Sequence, residues 1–227
     1  MHYPNSPEPD TGSGIDAQCT VCGVRPLVFL VRVGGVDYWR CRRCEATLMD
    51  PASWPDRAAE KAVYDLHENS PDDPGYRRFL HKLLDPLRER LPEQASGLDF
   101  GCGPGPALAQ MLEAHGHLMT LYDPVYCPDR GALAEQYDFI TATEVLEHLH
   151  EPAATLERLD ALLRPGGWLG VMTCFQTDDA RFANWHYRRD PTHVVFYRHS
   201  TLAWIARRFG WHMVSPIKDV ALFQKPV

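Results

Sequence analysis

A chain of 227 residues with 44% hydrophobic and 23% charged residues can bury one sizeable core and still carry a small module. No apolar run reaches the ~18 residues of a membrane span, and the first 18 residues are Pro, Ser, Gly and Asp rich, so neither a span nor a secretory signal is expected. The net charge of -7 opposes a general nucleic-acid binder, and seven cysteines, an odd number, oppose a disulfide framework and point to a reducing, cytoplasmic setting.

Residues 1–18 lack apolar periodicity and read as a disordered leader. Residues 19–50 follow as a compact module. Cys19-Thr-Val-Cys22 and Cys41-Arg-Arg-Cys44 flank a hairpin pattern, Leu27 to Val33 and Val36 to Trp39, joined by Gly34-Gly35. The spacing Cys-x2-Cys-x18-Cys-x2-Cys is that of a zinc ribbon, in which four thiolates close a tetrahedral, structural Zn2+ site. Arg25, Arg32, Arg40, Arg42 and Arg43 outnumber Asp37 and Glu45 here, which keeps an RNA or phosphorylated acceptor open. Residues 51–96 form a helical connector, with helical patterns over 58–68 and 76–91; the helix at 64–68 is placed to close over a ligand.

From residue 97 strands alternate with helices: strands at 97–100, 118–122, 137–141 and 168–173, helices at 107–115, 153–163 and 200–209, and a final strand pair at 211–214 and 220–224. This alternation predicts an α/β fold with a doubly wound, mostly parallel sheet over 97–227. Its first turn, Asp99-Phe-Gly-Cys-Gly-Pro-Gly105, holds three glycines that let backbone approach a ligand closely. Pro106 stands where a nicotinamide fingerprint has its last glycine, and no Gly-Lys-Ser/Thr follows for a phosphate loop. An acid at Asp99 instead suits a cationic ligand, as the sulfonium and ammonium of S-adenosylmethionine are. Asp123 ends the second strand, where a carboxylate can accept from ribose hydroxyls.

Three segments, Leu98 to Gly105, Tyr137-Asp-Phe-Ile-Thr-Ala-Thr-Glu-Val-Leu-Glu-His-Leu149 and Leu163-Arg-Pro-Gly-Gly-Trp-Leu-Gly170, together resemble the class I methyltransferases. The resemblance implies a seven-stranded sheet with an antiparallel last hairpin. It also implies S-adenosyl-L-methionine bound by Asp99, Phe100, Gly101, Cys102, Gly103, Gly105, Asp123, Pro124, Thr143 and Glu144. Only residues 124–136 separate the second-strand acid from the next strand, so the third strand of the family is expected to be abbreviated or missing.

Glu144, Glu147 and His148 have the spacing of one helix face. Similar segments in small-RNA and polyprenyl-quinol O-methyltransferases are associated with a divalent metal. A second metal at Glu144, Glu147, His148 and His193 is therefore one option, and packing of a helix cap is the other. His148, His193 and Glu144 are the candidate catalytic groups, either histidine serving as acid or base toward the acceptor. Residues 181–211 combine arginines with Phe182, Trp185, Tyr187, Phe196 and Tyr197, a composition able to stack on a planar acceptor and clamp an anion. The expected activity is methyl transfer to an O, N or C atom of a small-molecule acceptor. The alternatives are an RNA or protein methyltransferase and a non-catalytic cofactor-binding protein.

Overall fold

The structure is a computed structural model that describes residues 14–66 and 70–227. Its first part is a ribbon of strands β1 (Gly14–Ile15), β2 (Leu27–Val33), β3 (Val36–Arg40) and β4 (Thr47–Met49). Two helices follow, α1 (Arg57–Tyr64) and α2 (Pro74–Arg88). The alternating region is β5 (Ser96–Phe100), α3 (Ala107–Ala114), β6 (Leu118–Tyr122), β7 (Tyr137–Thr143), α4 (Pro152–Leu162) and β8 (Leu163–Met172). The chain ends in α5 (Asp179–Phe182), β9 (Val195–Phe196), α6 (His199–Phe209), β10 (His212–Val214) and β11 (Val220–Gln224). No helix among the described residues is long and apolar enough to cross a membrane.

The main sheet has the order β10-β11-β8-β7-β5-β6. Strands β6, β5, β7 and β8 are parallel, and β11 runs antiparallel to both β8 and β10. The doubly wound expectation and the antiparallel last hairpin therefore hold. The sheet has six strands rather than seven, because between β6 and β7 the chain makes only a tight Asp123–Cys127 bridge and one 3-10 turn at Arg130–Leu133. Thirteen residues cannot supply a crossover helix plus a strand.

On one face, α2 buries Leu80, Leu83, Leu84 and Leu87 against Leu108, Met111 and Leu112 of α3 and Leu222 of β11. The approach is close: a Cβ at Gly170 would lie 3.0 Å from the Leu83 Cδ1. The other face packs α4, α6 and the ribbon into a second core containing Leu156, Leu159, Leu202, Ile205, Tyr38 and Phe196.

Three boundaries differ from expectation. Residues 1–13 of the expected leader lie outside the described residues, but Gly14–Ile15 is ordered as an edge strand pairing Leu27 and Val28. Helix α1 ends at Tyr64, and residues 67–69 lie outside the described part. The ribbon is also not confined to 19–50. Strand β9, almost 150 residues later, joins its sheet by pairing Thr47 with Phe196 and Leu48 with Val195.

Candidate active site

Each ribbon knuckle turns in the same way. Gly23 N–H donates to Cys19 O and Glu45 N–H to Cys41 O, and both turn residues are left-handed, at φ 76° and 62°. The folds bring Cys19 Sγ to 3.6 Å from Cys44 Sγ and Cys22 Sγ to 3.4 Å from Cys41 Sγ, all four buried and unbridged. Zn–S bonds of ~2.3 Å in a tetrahedron need sulfur separations near ~3.8 Å, so the donor set fits a closed zinc site.

The glycine turn sits at the carboxyl end of β5. Gly101 N–H donates to Tyr122 O at 2.7 Å, which tucks the turn against β6. At Gly101 a Cβ would strike Val145 Cγ2 at 2.5 Å, with φ +76°, whereas at Gly103, φ +61°, it would meet nothing within 4 Å. The second glycine thus faces open space where a ligand can approach. Asp99 is buried and accepts from Thr141 Oγ1 at 2.7 Å. Burial, opposed by that bond and reinforced by Asp123, pushes its pKa up to about 6. Phe100 stacks on Tyr122, half-buried Cys102 follows Gly101 in the turn, and Gly105 O accepts from Ala107 N as α3 begins.

Asp123 Oδ1 accepts from the amides of Val125 (2.8 Å) and Tyr126 (2.9 Å), and Oδ2 accepts from Gly103 N–H at 3.1 Å. Three of its roughly four acceptor sites are thus filled by backbone, and the carboxylate braces the glycine turn, with Oδ2 the less occupied oxygen. Pro124 is exposed beside it. Thr143 Oγ1 is buried without a partner at the end of β7.

Beyond β7 the expected helix does not form. Glu144 takes φ 51°, and only one 3-10 turn, Leu146–His148, follows, so Glu144 is not on a common helical face with Glu147 and His148. Tertiary contacts gather the groups instead. One ligand atom each from Glu147, His148 and His193 lie within 4.8 Å of one another. Glu147 is fully buried, and its Oε2 has no hydrogen-bond partner. His148 Nδ1 is 3.2 Å from Thr192 O and His193 Nδ1 2.7 Å from Tyr187 O. A neutral imidazole that donates through Nδ1 presents the Nε2 lone pair, and burial, partly opposed by the Glu147 charge, lowers the His148 pKa and keeps it neutral. Two imidazole nitrogens and a bare carboxylate oxygen are a fitting donor set for a divalent ion.

Glu144 joins this cluster through Tyr187, whose hydroxyl is 3.0 Å from Glu144 Oε2 and also bonds Glu147 Oε1. Burial, then the Glu147 charge, hold the Glu144 carboxyl far above the usual carboxylate range. Helix α1 lies over the group: Tyr64 meets the His148 ring edge-on at 5.3 Å, Glu60 Oε1 is 2.9 Å from His150 Nε2, and Asp65 accepts from Tyr126. Tyr64 and Tyr187 both stand in segments expected at the site, but their partners, His148 for the one and Glu144 and Glu147 for the other, follow no periodic pattern. Surface grooves of about 450 Å³ (Pro74, Arg77, Arg78, His81) and about 300 Å³ (Cys22, Arg43, Trp204, Arg207, Arg208) are lined by other residues.

Three of the six arginines at 181–211 are engaged within the protein, as are Arg32 and Arg40 of the ribbon. Arg40 and Arg198 both hold Asp179, Arg188 lies over the Tyr38 ring, Arg208 pairs with Glu157 and Arg32 with Asp37. Phe182 and Phe196 are core, packed on Tyr38 at 4.9 and 6.0 Å.

This sheet order, with its glycine turn after the first strand and acids at the strand ends, is that of the class I methyltransferases. The family described as "Methyltransferase domain" matches residues 73–215, and the chain belongs to it. The ubiquinone biosynthesis O-methyltransferase of Coxiella burnetii is 30% identical over 138 residues, 48% of this chain and 58% of that protein. Its namesake from Xylella fastidiosa is 32% identical over 137 residues, 47% of this chain and 54% of its own length. The match thus spans little more than half of these relatives. The Burkholderia thailandensis 1,6-didemethyltoxoflavin-N1-methyltransferase, solved with its acceptor and S-adenosylhomocysteine, shares the fold at TM-score 0.53 and 19% identity, over 88% of this chain and 99% of that one.

Proposed function

We propose that the protein is an S-adenosylmethionine-dependent O-methyltransferase acting on a hydroxylated small molecule, with a structural zinc in the ribbon and a divalent ion at Glu147, His148 and His193. The observation that carries this reading is the convergence of those three side chains, with Glu147 Oε2 bare, at the same edge of the sheet as the Asp99–Gly105 turn.

The cofactor supplies the methyl as an activated sulfonium, and the ion lowers the pKa of a hydroxyl held against it. Gly103 would leave room for the cofactor beside the turn, and Asp99 would supply negative charge for its cationic end. His148 and His193, with Glu147, would hold the ion that orients the acceptor oxygen. Helix α1, through Tyr64, excludes water from a reaction in which charge is neutralised. The names of the curated relatives support oxygen as the methylated atom. The net charge of -7 favours a small acceptor over RNA.

The test is methyl transfer from labelled S-adenosylmethionine to a panel of catechols and hydroxyquinols, with and without chelator. Turnover that a chelator removes and Mn2+ or Mg2+ restores is expected. Failure of S-adenosylhomocysteine to raise the melting temperature would sink the cofactor reading.

A further inference from the structure

Tyr187 lies on the 3-10 turn His186–Arg189, between α5 and β9, and is buried. Its hydroxyl bonds Glu147 Oε1 and is 3.0 Å from Glu144 Oε2 and 3.1 Å from Thr173 Oγ1. Its main-chain carbonyl lies 2.7 Å from His193 Nδ1, and the two rings are 4.2 Å apart. One residue therefore touches Glu144, Glu147 and His193, which reach the site from two distant segments of the chain. A tyrosine that only filled the core would need one partner for its hydroxyl; here three oxygens surround it.

The contacts are also directional. Bonding Glu147 through Oε1 leaves Oε2 as the bare atom, and Oε2 is the oxygen that lacks a partner. Accepting the His193 Nδ1–H leaves the Nε2 lone pair of the neutral ring for another partner, with Asp190 Oδ2 3.8 Å away. Groups that hold metal-binding carboxylates and imidazoles in this way set ligand orientation and basicity.

We propose that Tyr187 is the positioning residue of this site: its hydroxyl holds Glu147 with Oε2 presented to a divalent ion, and its carbonyl fixes His193 with Nε2 presented to the same ion. The inference rests on the metal reading above. Its test keeps the two apart by using Mn2+ alone, titrated into the full chain and followed by the electron paramagnetic resonance of the free ion. Wild type binds Mn2+, Glu147→Gln abolishes this, and Tyr187→Phe, which removes only the hydroxyl, weakens it by roughly 10–100-fold. The far-UV circular dichroism of Tyr187→Phe stays that of wild type, which separates a weakened ion site from loss of the fold.

If Glu147→Gln loses the ion while Tyr187→Phe binds it as wild type does, the inference falls and the metal site stands. If wild type binds no Mn2+ beyond Glu147→Gln, both fall. A second measurement needs no variant: nitrogen-detected histidine spectra of the wild type with Mg2+ should show His193 protonated at Nδ1. A proton on Nε2 instead overturns the role of the carbonyl.

Discussion

Gly101 and Gly103 share a left-handed backbone but differ in what surrounds them, and that difference separates stability from binding. Gly101→Ala meets both the αL penalty of ~1–2 kcal/mol and a clash with Val145, so a loss of about 3 kcal/mol in urea unfolding is expected. Gly103→Ala meets only the backbone penalty, about 1 kcal/mol, but puts a methyl into the open space beside the turn. Its stability should change little while its S-adenosylhomocysteine thermal shift shrinks. An undiminished shift would mean that the cofactor lies elsewhere. Asp99 adds a pH signature. With its pKa raised from 3.8 to about 6 by burial, the folded chain holds this proton more tightly than the unfolded chain. Its stabilising contribution is complete below 3.8 and is lost as pH rises through 6, on the order of 2–3 kcal/mol. Asp99→Asn should lack that decline, so its stability relative to wild type should rise between pH 4 and 7. Parallel pH profiles of the two proteins would refute the assignment. A cation needs the ionised acid, so the S-adenosylmethionine thermal shift of wild type should grow over the same range.

Among the elements, β4 and β9 connect the ribbon to the reaction site. Met49 N–H donates to Val194 O, Val194 N–H donates to Glu147 O, and His193 immediately precedes Val194. Thr47 Oγ1 also reaches Gln176 Oε1, and Ala153 N–H donates to Thr20 O, so the ribbon grips α4 and the loop after β8. Losing the ribbon metal should therefore unfold more than the ribbon. Cys44→Ser is expected to abolish a one-to-one zinc content and to lower the melting temperature by roughly 10 °C, at ~2–4 °C per kcal/mol for a chain of this size. A transition unchanged from wild type would mean that the ribbon is an independent appendage. The cysteine spacing was legible in the sequence; the destination of β4 was not, because a three-residue strand carries no signal about a partner almost 150 residues away.

At the level of the whole molecule, the two cores meet across the main sheet, whose strands give alternate residues to each: Phe139 and Met172 to one, Ile140 and Val171 to the other. Tyr38 of the ribbon is 1% exposed only because Phe182 and Phe196 cover it. A chain lacking residues 1–50 would expose that aromatic surface together with the unpaired edge of β9, and aggregation on size-exclusion chromatography is expected. The sequence alone determined the alternating α/β order, the glycine turn and the cysteine knuckles, since each is written in local periodicity or in spacing along a few dozen residues. It also foretold the missing third strand from the shortness of 124–136. The helix drawn through Glu144, Glu147 and His148 was wrong because the left-handed Glu144 breaks it, and their meeting with His193 depends on tertiary contacts with Tyr187 and Thr192. Only the tertiary structure decided that Asp123 accepts from three backbone amides, that half of the arginines at 181–211 are engaged internally, and that one tyrosine touches both acids and a histidine. Local pattern fixes which elements form; convergence of side chains from distant segments depends on how those elements pack, and no short stretch of sequence encodes it.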